Sequence, residues 1–206
     1  MASKFQKLFS MEKLTLQNDS MCVGDHLVMH RWETPLMKRM AKIVAGKDKD
    51  VLEIGFGMGI SADFIQQFGC KSHTLLEIHP EIYKLGEHWA KNKNAKIIQI
   101  DAGLFPRLYP ERFDSILLDA FPVIDPSFFS LIYSGNMKKN TVLVPFGIFD
   151  EKHIENAYPE TELFFKKCSI EKVSHEEFKA HSVYGNKDLF FKVFSGPRDE
   201  ILRIKK

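Results

Sequence analysis

Short apolar runs alternate with amphipathic segments along most of the chain, and together they predict strands and helices in turn. The clearest run, residues 50–54, predicts the first strand of a sheet. The segment Ile60–Phe68 follows with apolar residues at helical spacing, and Gly69 is a natural helix end. This alternation is typical of an α/β sheet covered by helices.

The same cycle then repeats along the chain. Further strands are predicted over 73–78, 96–100 and Phe113–Leu118, with a helix over Pro80–Ala90 that begins at a proline. The segment Met137–Pro145 is interpreted as a lysine-flanked turn that leads into a fifth strand over 141–144. Residues 169–176 and 189–194 favour additional strands at an edge of the sheet, in an order that remains open.

Residues 27–44, ahead of the first strand, allow two interpretations. They form one helix interrupted near Pro35, or a new helix starts at Thr34-Pro35 with Thr34 as its cap. We therefore assign residues 1–46 to a helical N-terminal lid or cap and residues 47–206 to the α/β core. Both parts belong to one structural domain.

Composition excludes several classes of function. The 206 residues include 29 basic and 27 acidic side chains, and the resulting net charge of +2 predicts no nucleic-acid partner. No segment approaches the roughly 20 apolar residues of a membrane span, and no signal peptide is recognisable. We expect a cytoplasmic protein without membrane contact, either a monomer or a homodimer.

The cysteines and histidines do not form a metal-binding pattern. Cys22, Cys70 and Cys168 are widely separated and are interpreted as reduced thiols. His26 and His30 have a spacing found in zinc proteases, but the glutamate that this motif requires is missing. No metal is predicted.

A glycine-rich turn between the first strand and the first helix is the strongest candidate for a binding site. Such a turn brings the backbone close to a nucleotide-like cofactor. Ile60 stands where the dinucleotide fingerprint requires a glycine, so NAD fits poorly. Glu77 ends the second strand, where a carboxylate can accept ribose hydroxyls. The turn itself reads Gly55-Phe56-Gly57-Met58-Gly59.

Two later acids follow strands of the predicted sheet. Asp101 comes just after the third strand and Asp119 just after the fourth, at the edge where open sheets bind ligands. Asp101 is equally well explained as a helix cap or a turn residue. Asp119 is expected near the reactive end of the cofactor.

Two sequence stretches resemble the guanidinoacetate N-methyltransferase family. These are residues 28–35, V-M-H-R-W-E-T-P, and residues 51–60, V-L-E-I-G-F-G-M-G-I, with weaker likeness continuing over most of the chain. The resemblance implies a Rossmann-like class I methyltransferase fold, with a mostly parallel seven-stranded sheet and helices on both faces. It also implies S-adenosylmethionine as the cofactor, with S-adenosylhomocysteine as the product.

The resemblance also implies which residues form the site. The residues matching Glu33 and Asp119 hold the guanidino group of the substrate, and Asp119 takes a proton as the nitrogen attacks. Paired carboxylates suit a guanidinium, which is a planar fork of N–H donors. The residues expected to bind the cofactor are Met29, Met37, Glu53, Gly55, Phe56, Gly57, Met58, Gly59, Ile60, Glu77, Asp101, Ala102, Gly103, Leu104 and Asp119.

One departure from the family concerns the substrate. Residues 144–149 read Val-Pro-Phe-Gly-Ile-Phe where the family has a polar Asn-Leu-Thr stretch, and Phe121 replaces a tyrosine. The resemblance as a whole still predicts an N-methyltransferase acting on a small guanidino or amino compound. The departure concerns the part of the pocket that would hold the rest of this compound. The alternatives are methylation of a hydroxyl or a protein arginine, and a cofactor-binding scaffold without catalysis.

Overall fold

The computed structural model describes residues 8–120, 135–145, 169–173 and 189–197. Its strands are β1 (Leu14–Leu16), β2 (Ser20–Val23), β3 (His26–His30), β4 (Gly46–Ile54), β5 (Cys70–Glu77), β6 (Ala95–Gln99), β7 (Phe113–Leu118), β8 (Met137–Pro145), β9 (Ser169–Val173) and β10 (Leu189–Pro197). Its helices are α1 (Thr34–Val44), α2 (Ile60–Phe68), α3 (Pro80–Ala90) and α4 (Phe105–Leu108). A short 3-10 turn at Arg31–Glu33 precedes α1.

Seven of the described strands form the central sheet, in the order β6-β5-β4-β7-β8-β10-β9. The neighbours from β6 to β8 pair in parallel. In contrast, β10 pairs antiparallel with both β8 and β9. The predicted mostly parallel, seven-stranded α/β sheet is therefore confirmed, and the order left open at its edge is β8-β10-β9.

The central strands are buried on both faces. Val51 and Leu75 pack with residues of α1 and α2 in one hydrophobic cluster, while Leu52 and Leu76 pack with Phe105 of α4 in another. Successive side chains of a strand point to opposite faces, so an unbroken run of buried residues requires cover on both. The end of β4, residues 51–54, is such a run.

Most predicted elements lie where the sequence placed them. The bounds of α2, α3 and β7 agree with the prediction, whereas β4 already begins at Gly46 and β5 at Cys70. The prediction of a turn at the start of Met137–Pro145 is wrong, because the whole segment is β8. Lys138 near its start binds Asp50 and Asp114, so its charge is neutralised within the sheet.

The helical character predicted for residues 1–46 is wrong for residues 14–30. There β1, β2 and β3 form an antiparallel sheet with β2 at its centre. This sheet is small, and it is stabilised by side chains that enter the main core. Met21, Val23 and Met29 are buried there.

A new helix does start at Thr34, as one of the two interpretations predicted. The capping position is nevertheless Glu33, one residue earlier, and Thr34 is the first helical residue. The Thr34 hydroxyl donates to the carbonyl oxygen of Arg31, while the Glu33 carboxylate accepts the backbone N–H of His30. The short turn and α1 therefore form one continuous capped unit.

Within the described ranges, no helix is long and apolar enough to cross a membrane. The same residues contain no group of three or more histidine, cysteine or acidic side chains placed to hold a metal ion.

Candidate functional site

Backbone hydrogen bonds join the loops that follow three strands of the sheet. The Gly55 N–H, after β4, donates to the Leu76 carbonyl at 2.9 Å, and the Asp119 N–H, after β7, donates to the Ile54 carbonyl at 3.0 Å. The Ile100 N–H, after β6, donates to the Glu77 carbonyl at 3.0 Å. The predicted loops therefore lie side by side at the carboxyl edge of the sheet, where open α/β sheets bind ligands.

The glycine turn has a backbone that only glycine tolerates. Gly55 has a φ of 90°, and a Cβ added there would lie 2.0 Å from the carbonyl oxygen of Asp119. Gly57 has a φ of 52°, and its added Cβ would lie 2.9 Å from the Met29 sulfur. Both constraints favour glycine at these positions and hold the backbone of the turn close to Asp119 and to Met29.

Glu77 lies beside this turn at the end of β5. Its carboxylate accepts the backbone N–H of Phe56 at 3.0 Å and that of His79 at 2.8 Å. Burial raises the pKa of Glu77, and these N–H groups oppose the rise. Each oxygen has a further lone pair, so the carboxylate can still accept hydroxyl groups.

Met29 connects the N-terminal sheet to the glycine turn. Its sulfur accepts the backbone N–H of Met58 at 3.2 Å. Met37, predicted with it as a cofactor contact, is fully buried in the cluster formed by α1 and α2. The two methionines thus have different surroundings, and only Met29 contacts the turn by a hydrogen bond in the described residues.

The ring of Phe56 supports the turn from the side of α3. It packs against Trp89, with ring centroids 5.5 Å apart. An added Cβ on Gly59 would meet the same ring at 2.8 Å. Phe56 and Ile60 both belong to the larger hydrophobic cluster. Phe56 therefore anchors the turn through its buried side chain.

Asp101 has the turn role that was one of its two interpretations. Its carboxylate accepts the Gly103 N–H at 2.8 Å, and its carbonyl accepts the Leu104 N–H at 2.9 Å. These bonds fix the loop after β6, in which Ala102 packs against the second hydrophobic cluster. The loop leads directly into α4.

Glu33 and Asp119 interact electrostatically although they are distant in the chain. Glu33 ends the 3-10 turn, and its carboxylate accepts the His30 N–H at 2.8 Å. Burial raises the pKa of Glu33 to about 7, although this hydrogen bond lowers it. Burial, the charge of Glu33 and then that of Glu53 raise the pKa of Asp119 well above its usual value. The site therefore contains two carboxylates that interact unfavourably when both are ionised.

Glu53 is fully buried, and its partners were missed by the sequence reasoning. It accepts a hydrogen bond from the Ser61 hydroxyl, and its other oxygen lies 2.8 Å from Nε2 of His73. Polar residues inside otherwise apolar segments are the signal that could have identified Ser61 and His73. Phe121 and residues 146–149, which were expected to shape the acceptor pocket, lie outside the described residues.

Comparison with known proteins indicates a family of methyltransferases. A family model described as guanidinoacetate N-methyltransferase matches residues 17–186. The chain is also similar to a protein named protein arginine N-methyltransferase 2 from Aspergillus oryzae, at 34% identity over 117 residues. That match covers 52% of this chain and 28% of the relative. The chain thus spans about a quarter of the length of this relative.

Solved structures share the fold at low sequence identity. The N-methyltransferase NodS from Bradyrhizobium japonicum, in complex with S-adenosylhomocysteine, has a TM-score of 0.62 at 14% identity, covering 81% of this chain and 88% of that one. Spermidine synthase from Thermotoga maritima has a TM-score of 0.62 at 15% identity, covering 85% and 64%. Since these two proteins bear different names, this likeness defines the fold and leaves the acceptor to the site itself.

Proposed function

The chain belongs to the guanidinoacetate N-methyltransferase family, whose members use S-adenosylmethionine, and we propose that it methylates a nitrogen of a small guanidino or amino compound. The observation that supports this acceptor is the pair Glu33 and Asp119. Each carboxylate has a raised pKa, and the charge of Glu33 adds to the rise at Asp119. A cation between them removes this repulsion, which makes the pair suited to a positively charged acceptor.

The residues at the carboxyl edge fit the proposed cofactor. The turn from Gly55 to Gly59 has a tight backbone that a side chain at Gly55 or Gly57 would disrupt, and Glu77 keeps lone pairs for ribose hydroxyls. Met29 and the loop from Asp101 to Leu104 complete the proposed contacts. When bound, S-adenosylmethionine supplies an electrophilic methyl group and leaves as S-adenosylhomocysteine.

The chain's own contribution to the reaction is to orient the acceptor and remove its proton. Glu33 and Asp119 hold the guanidinium by its N–H groups, which turns one nitrogen toward the methyl group. A guanidinium nitrogen is a poor nucleophile until it loses a proton, because its lone pair is delocalised. Asp119 accepts this proton as the N–C bond forms, and its raised pKa makes it a stronger base than an ordinary aspartate.

A second candidate acceptor is the arginine side chain of a protein. The relative from Aspergillus oryzae is named for protein arginine methylation, and a guanidinium is the reacting group in both cases. The carboxylate pair would hold either acceptor in the same way. The small molecule and the protein differ in what lies beyond the guanidinium.

We extend the proposal to the N-terminal segment and the setting of the protein. Residues 1–46 act as a cap on the site, supported by Met29 and Glu33, which both reach it from this segment. The proposed setting is the cytoplasm, with no nucleic-acid or membrane partner, as the balanced charge suggests.

Calorimetry with S-adenosylhomocysteine, followed by transfer of a labelled methyl group, tests the proposal. The acceptor panel contains guanidinoacetate, arginine, related amines and an arginine-containing peptide. We expect binding of the cofactor product and label on a guanidino compound. Absence of binding contradicts the proposal, and binding without transfer to any acceptor favours a scaffold instead.

A further inference from the structure

A chain of buried hydrogen bonds lies beneath the glycine turn. Ser61 donates to Glu53, the other oxygen of Glu53 contacts Nε2 of His73, and Nδ1 of His73 lies 3.1 Å from the amide nitrogen of Gln66. The side chains of Glu53 and His73 are completely buried. We refer to Ser61, Glu53, His73 and Gln66 as the buried relay.

The buried relay joins the two ends of the glycine turn. Glu53 lies on β4 just before Gly55, and Ser61 lies in the first turn of α2 just after the loop. The hydrogen bond between them therefore closes the turn from below. Because the turn between them consists largely of glycines, this bond limits the freedom of a flexible backbone.

The contacts of Gln66 determine which ring nitrogen of His73 carries the hydrogen. The amide nitrogen of Gln66 lies 3.1 Å from Nδ1 of His73 and 3.4 Å from the carbonyl oxygen of Asn94. A carbonyl oxygen only accepts, so the amide group donates to both atoms. Nδ1 is then an acceptor and Nε2 has the hydrogen, which it donates to Glu53.

His73 therefore supplies one of the two donors that the described part of the chain gives to the buried carboxylate of Glu53. A buried carboxylate that loses a donor is destabilised, because one of its oxygens is left without a hydrogen bond, and the carboxylate tends to shift. Glu53 also accepts the Ser61 hydroxyl at the start of α2, so a shift of its carboxylate would move the contact that closes the glycine turn. Loss of the His73 donor would thus disturb the turn, although His73 does not face the ligand edge of the sheet.

We propose that His73 is a positioning residue for the cofactor, acting through Glu53 and Ser61 on the glycine turn. This inference rests on the proposed function, since it assumes that the turn binds S-adenosylmethionine. A residue that only preorganises a binding loop affects ground state and transition state alike. Its loss should raise the KM for the cofactor and leave kcat at saturating cofactor nearly unchanged.

Two substitutions at His73 separate hydrogen bonding from packing. His73→Gln places an amide donor near the position of Nε2 and gives up the ring. His73→Phe keeps the ring, which packs edge-on against Trp89 with centroids 6.1 Å apart, but has no donor. We expect affinity for S-adenosylhomocysteine to fall roughly tenfold or more in His73→Phe and to stay within about threefold of wild type in His73→Gln.

The opposite ranking, or equal affinity for wild type and His73→Phe, overturns the inference while the proposed function stands. If wild type itself does not bind S-adenosylhomocysteine, the proposed function fails and the inference with it. Ser61→Ala is a second test variant if His73→Phe does not fold, because it removes the other donor to Glu53. We expect it to weaken cofactor binding with kcat retained, and unchanged binding would contradict the relay.

Discussion

Two groups of carboxylates lie at the same edge of the sheet in opposite situations. Glu53 and Glu77 are buried, and the chain itself supplies their hydrogen bonds, from Ser61 and His73 or from backbone N–H groups. The described residues give Glu33 a single backbone donor and give the Asp119 carboxylate none.

The difference distinguishes acids that the chain itself supplies with hydrogen bonds from the two acids that we propose hold the acceptor. Glu53 and Glu77 shape the glycine turn, and their needs are met before any ligand arrives. Glu33 and Asp119 have raised pKa values, and the charge of Glu33 raises the pKa of Asp119 further. Carboxylates whose pKa is raised by burial and by a neighbouring charge are typical of functional sites.

The largest expected effect comes from Asp119→Asn, which removes the proposed base but keeps the size of the side chain. We expect kcat/KM for the acceptor to fall by roughly 10²- to 10⁴-fold, because proton transfer from the nitrogen is lost. Affinity for S-adenosylhomocysteine should change little. Initial rates of methyl transfer and calorimetry measure the two quantities.

Asp114→Asn is the matched control for Asp119→Asn, because Asp114 lies near the start of β7, the strand that Asp119 follows, and binds Lys138 away from the ligand edge. Its turnover should remain near that of wild type. Equal losses in the two variants would show that the strand, and not the position of Asp119, determines activity.

The second effect concerns the glycine turn. In Gly55→Ala the added Cβ would lie 2.0 Å from the Asp119 carbonyl, at a φ of 90°. We expect affinity for S-adenosylhomocysteine to fall by about tenfold or more and stability by roughly 1–3 kcal/mol. Calorimetry and urea unfolding measure these changes.

Gly69→Ala provides the comparison for Gly55→Ala, since Gly69 also has a φ of 90° but its added Cβ would lie 3.5 Å from Lys47. It should lose stability through the backbone alone and keep its affinity for S-adenosylhomocysteine. If both variants lose affinity equally, the loss in Gly55→Ala does not come from the close approach to the Asp119 carbonyl.

The third effect is a dependence of acceptor binding on pH. The pKa of Glu33 is about 7, so a cationic acceptor that needs the ionised form should bind about tenfold more tightly at pH 8 than at pH 6. Binding near pH 7 should release a proton, seen as a dependence of the calorimetric enthalpy on the buffer. A guanidino ligand that binds equally at both pH values would contradict this role.

Glu33→Gln should remove the part of that dependence that comes from Glu33, while Asp119 keeps its own, and the amide oxygen still accepts the His30 N–H. The sign for stability follows from the raised pKa. The folded protein holds the extra proton between pH 4.5 and about 7, so wild type loses stability as pH rises through that window. Glu33→Gln should therefore be at least as stable as wild type above pH 7, as urea unfolding can test.

The smallest effect is expected at the opposite edge of the sheet. The hydrogen bond from Lys138 is the main cause that lowers the pKa of Asp50 to about 2, with Ser72 next. Asp50→Asn should cost about 1 kcal/mol at pH 7, a difference that disappears as pH falls from about 4 to 2. Methyl transfer should be unaffected. A loss of activity would show that the two edges are coupled.

Local patterns in the sequence predict the parts of the site that are local in the chain. The bounds of α2 and the glycine turn follow from helical spacing, from Gly69 and from neighbouring glycines. Glu77 could be recognised because its distance from Gly55 is set by one helix and one strand, α2 and β5. The fold and the cofactor-binding edge therefore emerge from the sequence.

Contacts between distant residues set the limit of such prediction. The partners of Glu53 are 8 and 20 positions away, and nothing in their spacing marks them. In the sequence, Lys138 favours a turn. In the structure, Asp50, 88 positions earlier, neutralises its charge within the sheet. The small sheet before α1 was missed because its strands are short, and β1 in particular is largely exposed.

Transfer of a labelled methyl group from S-adenosylmethionine to guanidino compounds tests the central claim most directly. We predict that wild type labels guanidinoacetate, arginine or an arginine-containing peptide with one S-adenosylhomocysteine formed per methyl group, and that Asp119→Asn largely abolishes the label. A protein that binds S-adenosylhomocysteine but labels no guanidino compound would contradict the assignment of Glu33 and Asp119 to a guanidinium.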